Sequence, residues 1–181
     1  MPLIRNFGLV VGLLVAFVIG IAPCNARAEQ RIALVLGNAT YQAGALKTTA
    51  NDAGLVAQTL EAAGFDVIGA RDLDLEALRR AFRDFIEKAG ALGPDDVAFL
   101  YLGGYGLQLE GENYFVPIDA RIERATDIPV QAVRLSDYTR ALAGLKLKTS
   151  ILVFDLARAH PFASDDRLAG GLALVEPEQN M

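Results

Sequence analysis

The chain has 181 residues, 52% of them hydrophobic and 22% charged, enough for one domain with a real core and too little for two large ones. Its formal net charge is −5 and no block of Lys or Arg occurs, so a nucleic-acid partner has no electrostatic support. With one cysteine, Cys24, and one histidine, His160, a disulfide within the chain is excluded.

Residues 1–28 carry Arg5, an uncharged apolar run from Phe7 to Ala22, then Pro23 and Ala26-Arg27-Ala28. A positive start, an apolar centre and a small-x-small end form the layout of a secretory signal, with cleavage expected after Ala28. The run is 16 residues long, short of the roughly 20 that span a bilayer, which argues against an uncleaved anchor. Pro23 directly before Cys24 argues against lipid attachment there. Cleavage leaves 153 residues without a cysteine and, by removing Arg5 and Arg27, takes the formal charge to −7. The expected mature protein is acidic, exported to the periplasm or beyond, free of membrane and without a thiol.

Arg31 opens a buried-strand pattern, Ile32 to Leu36, ended by Gly37-Asn38. A polar loop leads to a predicted helix over 51–63, with Leu55, Val56, Thr59 and Leu60 at helical spacing and Gly64 as its stop. Phe65 to Ile68 reads as a second strand. The clearest amphipathic helix runs from Leu75 to Leu92: Leu75, Leu78, Phe82, Phe85 and Ile86 form its stripe, while Arg79, Arg80, Arg83 and Asp84 face away as a solvated side. Gly93-Pro94 breaks it.

Val97 to Leu102 is a continuous apolar run suited to the centre of a parallel sheet. Gly103-Gly104-Tyr105-Gly106 turns away, and Leu107–Leu109 with Tyr114–Val116 reads as a hairpin. Ser136 suits an N-cap for a helix from Asp137 to Leu145. Ser150 to Phe154 is a fourth buried strand, ending at Asp155. Ser164 to Met181 has no strong period and is expected to be loose. Strands alternating with helices imply an α/β fold with parallel pairs, whose sites lie at the C-terminal ends of the strands. The informative loops are therefore 37–50, 103–106 and 155–162. The glycine-rich turn lacks the spacing of a dinucleotide fingerprint and precedes a hairpin, not a helix. No HExxH, paired Cys or clustered His exists, so neither a metal nor another cofactor is expected.

The ordered set of segments is more specific than any one of them. Arg31-Ile32-Ala33-Leu34-Val35-Leu36-Gly37-Asn38, Asn51-Asp52-Ala53, Gly64-Phe65-Asp66-Val67, the glycine-rich turn with Asn113-Tyr114-Phe115-Val116-Pro117-Ile118-Asp119-Ala120, and Ile151 to Asp155 together resemble bacterial caspase-like peptidases of metacaspase or orthocaspase type, family C14. The resemblance covers roughly residues 31–175. It implies a caspase-like three-layer α/β sandwich with a mostly parallel central sheet, spanning 29–175 between the signal (1–28) and a short tail (176–181). It also implies further strands after the fourth, which this sequence does not continue into; the expectation is a truncated or short version of the fold.

In that family the third strand ends in Gly-His-Gly, whose histidine is the general base, and the fourth in Asp-x-Cys-Arg, whose cysteine is the nucleophile. Here Tyr105 stands at the histidine position and Ala157 at the cysteine position, while Arg158 and Pro161-Phe162 continue the pattern. A methyl group cannot attack a carbonyl, and a phenol with pKa near 10 is a poor base at neutral pH. No thiol remains after residue 24, and Ser136, Ser150 and Ser164 lack a nucleophile-elbow context. His160, close to Ala157 in sequence, reads as a surface or hydrogen-bonding residue. The expected catalytic set is therefore empty.

The family's pocket for basic residues uses an aspartate of the Asn-Asp-Ala segment and one two positions before the nucleophile, which are Asp52 and Asp155 here. Asp52 equally suits a helix first-turn acid, and Asp155 a strand-end residue bonding the following loop. The resulting expectation is an exported pseudopeptidase that binds a basic peptide or protein. The alternatives are a cysteine-type endopeptidase cleaving after Arg or Lys, or a regulatory partner lending its sheet edge to an active homologue.

Overall fold

The structure, a computed structural model, describes residues 27–162, 168–169, 171–176 and 181. The bulk of the expected signal segment, with Cys24, lies outside these residues, as do Ser164 and most of the tail. Among the described residues no helix is long and apolar enough to cross a membrane.

The chain alternates strand and helix: β1 (Arg31–Gly37), α1 (Thr49–Ala62), β2 (Asp66–Arg71), α2 (Leu75–Gly90), β3 (Val97–Gly103). A hairpin, β4 (Gly106–Leu109) and β5 (Glu112–Phe115), interrupts the alternation. A 3₁₀ turn (Ala125–Asp127), a single-turn α3 (Ile128–Gln131), β6 (Val133–Arg134), α4 (Leu135–Gly144), β7 (Thr149–Asp155) and β8 (Leu168–Ala169) complete it. Strands β2-β1-β3-β7 form a parallel sheet of four. Six of the seven β1 residues are buried, as a strand covered on both faces requires.

Side-chain alternation along β1 and β3 separates two cores. Ala33, Val35 and Tyr101 meet α1 through Ala53 and Leu60. Ile32, Leu34, Leu36, Leu100 and Leu102 meet Leu78, Phe82 and Phe85 of α2 and Leu142 of α4. Three layers result: α1, the sheet, then α2 with α4. The expected stripe of α2 is the one buried, with Leu78, Phe82 and Phe85 fully enclosed. Asp74 caps that helix by accepting the Ala77 N–H at 2.7 Å. The stop of α1 at Gly64, with φ at +83°, places glycine where a Cβ would strain the left-handed turn.

Elsewhere the structure corrects the sequence reading. Leu55, assigned to the apolar face of α1, is 63% exposed; Leu60, assigned to the same face, is buried, joined there by Thr49 and Ala53. Close approach explains this, since a Cβ on Gly37 would lie 2.6 Å from the Ala53 methyl, leaving room for small side chains only. Thr59 is likewise exposed, its hydroxyl donating to the Leu55 carbonyl. Ser136 is not a cap: β6 runs directly into α4, Arg134 holds the cap position, and the Ser136 hydroxyl donates to Glu112 Oε2 at 2.6 Å. Among the described residues the fourth strand is an edge rather than a buried strand, pairing only with β3 and leaving Ile151 and Val153 about 40% exposed.

The hairpin belongs to a second, antiparallel sheet in the order β6-β5-β4-β8. The segment expected to be loose supplies β8, which pairs Leu168 with Leu109 and Ala169 with Gln108. Asn113 holds the same segment further on: its amide donates to the Ala173 carbonyl at 3.0 Å and accepts the Ala173 N–H at 2.7 Å. An apolar cluster beneath this sheet joins Tyr41, Tyr105, Leu107, Tyr114, Ile128 and Phe162 among others.

Candidate functional site

Register places three strand ends side by side. Gly37 pairs with Gly103, and Gly103 with Asp155. The loops that follow stay together: Asn38 N–H donates to the Gly103 carbonyl at 2.9 Å, Gly104 N–H to Asp155 at 3.3 Å and Gly106 N–H to Leu156 at 3.1 Å. The loop carrying Tyr105 therefore runs against the one carrying Ala157, as the parallel sheet implies.

The glycine-rich turn serves this packing. A Cβ on Gly104 would lie 2.4 Å from Tyr41 Oη and 2.8 Å from the Phe115 ring, a separation no side chain tolerates. Tyr41 is the node of the turn. Its hydroxyl donates to the Val116 carbonyl at 3.0 Å and accepts the Tyr105 N–H at 3.0 Å. Burial, foremost, raises the Tyr41 pKa well above the ordinary phenol value, so this hydroxyl keeps its proton.

Tyr105 is 6% exposed. Its ring lies 4.7 Å from that of Tyr41 and 5.7 Å, edge-on, from that of Phe162. The side chain expected to stand at the base position thus packs in the core of the second sheet. Ala157, in contrast, is exposed on the loop after β7. His160 is neither a free surface residue nor hydrogen-bonded through Nδ1: it is half-buried, stacks on Phe162, and its Nδ1 has no partner among the described residues. Burial lowers its pKa, favouring the neutral ring.

Asp52 lies in the first turn of α1 and Asp155 at the end of β7, both half-buried. The charges of both reach Tyr101. Its hydroxyl approaches Asp155 Oδ2 at 3.5 Å, and burial, followed by the negative charges of Asp155 and Asp52, raises its pKa. Arg158 acts on the same hydroxyl with opposite sign and forms an ion pair with Asp155 Oδ2. Among the described residues no side chain forms a hydrogen bond or ion pair with Asp52. Thr49, fully buried one turn before Asp52, also leaves its hydroxyl without a partner among these residues. Asp155 thus bonds the loop that follows it, one of the two roles the sequence offered; the partner, Arg158, was not named there, although an Asp and an Arg three residues apart after a strand is a signal that a tight turn can close.

Several residues of the ordered segments act as clamps. Asn38, fully buried, accepts the Leu73 N–H at 2.9 Å and donates toward the carbonyls of Leu73 and Val116. Asp119 Oδ1 accepts the Leu75 N–H at 3.0 Å, fixing the start of α2. Among the described residues no three His, Cys, Asp or Glu side chains converge as a metal site would need.

The family profile described as Caspase domain matches residues 30–180. No curated protein matches the chain. Among solved structures, protein GSU0716 from Geobacter sulfurreducens superimposes with a TM-score of 0.51 at 19% identity, over 69% of this chain and 48% of that one. That likeness concerns the fold, and the chain spans about half the length of that protein. A parallel sheet of four flanked by helices, with its loops gathered at the strand ends in the family's order, accompanies the profile match, and the chain belongs to the caspase-domain family, peptidase family C14.

Proposed function

We propose that this chain is an exported, catalytically inactive caspase-domain module that binds basic segments of a peptide or protein through Asp52 and Asp155. The observation that carries the reading is the pairing of a buried Tyr105 ring with an exposed Ala157 methyl at the two positions where the family performs its chemistry. Neither group supplies a nucleophile or a neutral-pH base. Asp52 and Asp155 offer the carboxylates that a guanidinium seeks, and a planar fork suits bonding to two of them at once. Export is supported by the layout of residues 1–28.

The purified chain is expected to leave fluorogenic arginine peptides intact with or without iodoacetamide; iodoacetamide-sensitive hydrolysis would remove the inactive reading. In calorimetry, arginine peptides are expected to bind in the high-micromolar to millimolar range, on the order set by a few charge-assisted bonds offset by ordering of the peptide. Citrulline counterparts should bind more weakly, and Asp52→Asn or Asp155→Asn should erase the difference. Equal binding of both peptides would make the two aspartates purely structural. The exposed Ile151 and Val153 on edge strand β7 favour a second reading, in which that edge pairs with an active homologue; co-purification from the exporting cell distinguishes it.

A further inference from the structure

The Asp155 carboxylate already holds a guanidinium. Arg158 turns back over the end of β7, its N–H donating to the Leu156 carbonyl at 2.9 Å, and its Nη2 donates to Asp155 Oδ2. The pair sits at the surface of the site, with side chains 29% and 41% exposed. It is an incomplete fork. Arg158 Nε is buried and meets no acceptor among the described residues, so the planar group satisfies one oxygen where a bidentate pair satisfies two. Tyr101 Oη lies 3.5 Å from that same oxygen, which puts Arg158, Asp155 and Tyr101 in one contact group.

We propose that Arg158 is an internal occupant of the acidic pocket and that a ligand's basic side chain enters by displacing it from Asp155. This rests on the reading that Asp52 and Asp155 receive a basic ligand. Binding is then an exchange of one guanidinium for another. An incoming arginine gains both carboxylates while Arg158 gives up one half-used contact and moves into water, where its Nε is hydrated. A lysine ammonium brings a point charge without the fork and exchanges less well. Arg158 thereby sets both a threshold for binding and a preference for arginine over lysine.

The test uses the full chain and three blocked tripeptides, glycine–X–glycine with X arginine, lysine or citrulline. Exposed ion pairs of this kind shift an equilibrium by about two- to fivefold, so Arg158→Gln is expected to tighten the arginine tripeptide by that factor and to narrow the gap between arginine and lysine. In the unaltered chain, saturation with the arginine tripeptide is expected to move the Arg158 Nε–H NMR resonance to the position of free arginine. This second measurement reports displacement directly and does not depend on how a variant folds. If the arginine tripeptide binds selectively over citrulline, yet Arg158→Gln leaves its affinity unchanged and the resonance stays in place, Arg158 is no occupant and the inference fails while the pocket stands. If arginine and citrulline bind alike to both proteins, the pocket reading fails and takes the inference with it.

Discussion

Restoring the two missing side-chain types, by Tyr105→His with Ala157→Cys, is expected to give a folded, weakened and nearly inactive protein. The weakening comes from position 105. Tyr105 is 6% exposed and packs against the rings of Tyr41 and Phe162. Aromatic pairs contribute about 0.5–1.5 kcal/mol each beyond their buried area, and a buried imidazole nitrogen without a partner costs about 1–3 kcal/mol. The sum is a loss of about 2–6 kcal/mol. Ala157 is exposed, and its substitution belongs to the class worth within about 0.5 kcal/mol. At about 2–4 °C per kcal/mol for a domain of this size, Tm should fall by between about 4 and 24 °C. Inactivity follows from direction. A general base must stand within about 2.6–3.2 Å of the group it deprotonates, whereas the side chain at 105 packs between Tyr41 and Phe162. The assay is hydrolysis of fluorogenic arginine peptides with and without iodoacetamide, alongside thermal unfolding, with Ala157→Cys alone as reference. The reasoning is refuted by thiol-dependent turnover about 100-fold above that reference, the scale of general-base assistance, in a double variant whose Tm is unchanged.

Tyr41→Phe should destabilise by about 1–3 kcal/mol, since it strips the Tyr105 N–H and the Val116 carbonyl of a shared buried partner; a Tm equal to that of the parent would contradict the role given to this hydroxyl. Phe82→Ala empties a fully buried position where α2 stacks on Tyr138 at 4.2 Å, and chemical denaturation should show a loss of about 3–5 kcal/mol. For Asp96, backbone N–H groups of Gly93 and Gln30, each at 2.7 Å, hold the carboxyl below its ordinary pKa. A depressed folded-state pKa adds stability above the unfolded value, near 3.9, and loses it as pH falls through the folded one. Asp96→Asn should therefore unfold more readily than the parent at pH 7 and converge with it toward pH 3, as Tm against pH will show; a constant gap would rule this out.

The main sheet was legible because its evidence is local. Continuous apolar runs at 32–36 and 97–102, a 3.6-residue stripe at Leu78, Phe82 and Phe85, and a glycine stop at 64 each reflect forces within a few residues. The positions of Asp52 in the first turn of α1 and of Asp155 at the end of β7 followed from the same alternation. How far the buried face of α1 is turned from the expected one was not legible, because Gly37 and Ala53 are sequentially distant and their close approach sets which side of the helix meets the sheet. Nor was the edge position of β7. An apolar run states that a strand avoids water, while the number of neighbours it acquires depends on sheet order.

The same division governs the site. Sequence alone determined that positions 105 and 157 carry a phenol and a methyl, and chemistry follows from those identities whatever the fold. Tertiary structure decided where they point: Tyr105 into a second core beneath the antiparallel sheet, and Ala157 into solvent. It also decided that Asp155 meets Arg158 and Tyr101, and that Asn38, Asn113 and Asp119 hold backbone groups. Polar side chains carry no mark of their partner in sequence. A buried amide or carboxylate must be satisfied, and which distant backbone group satisfies it is fixed only when the chain has folded around it.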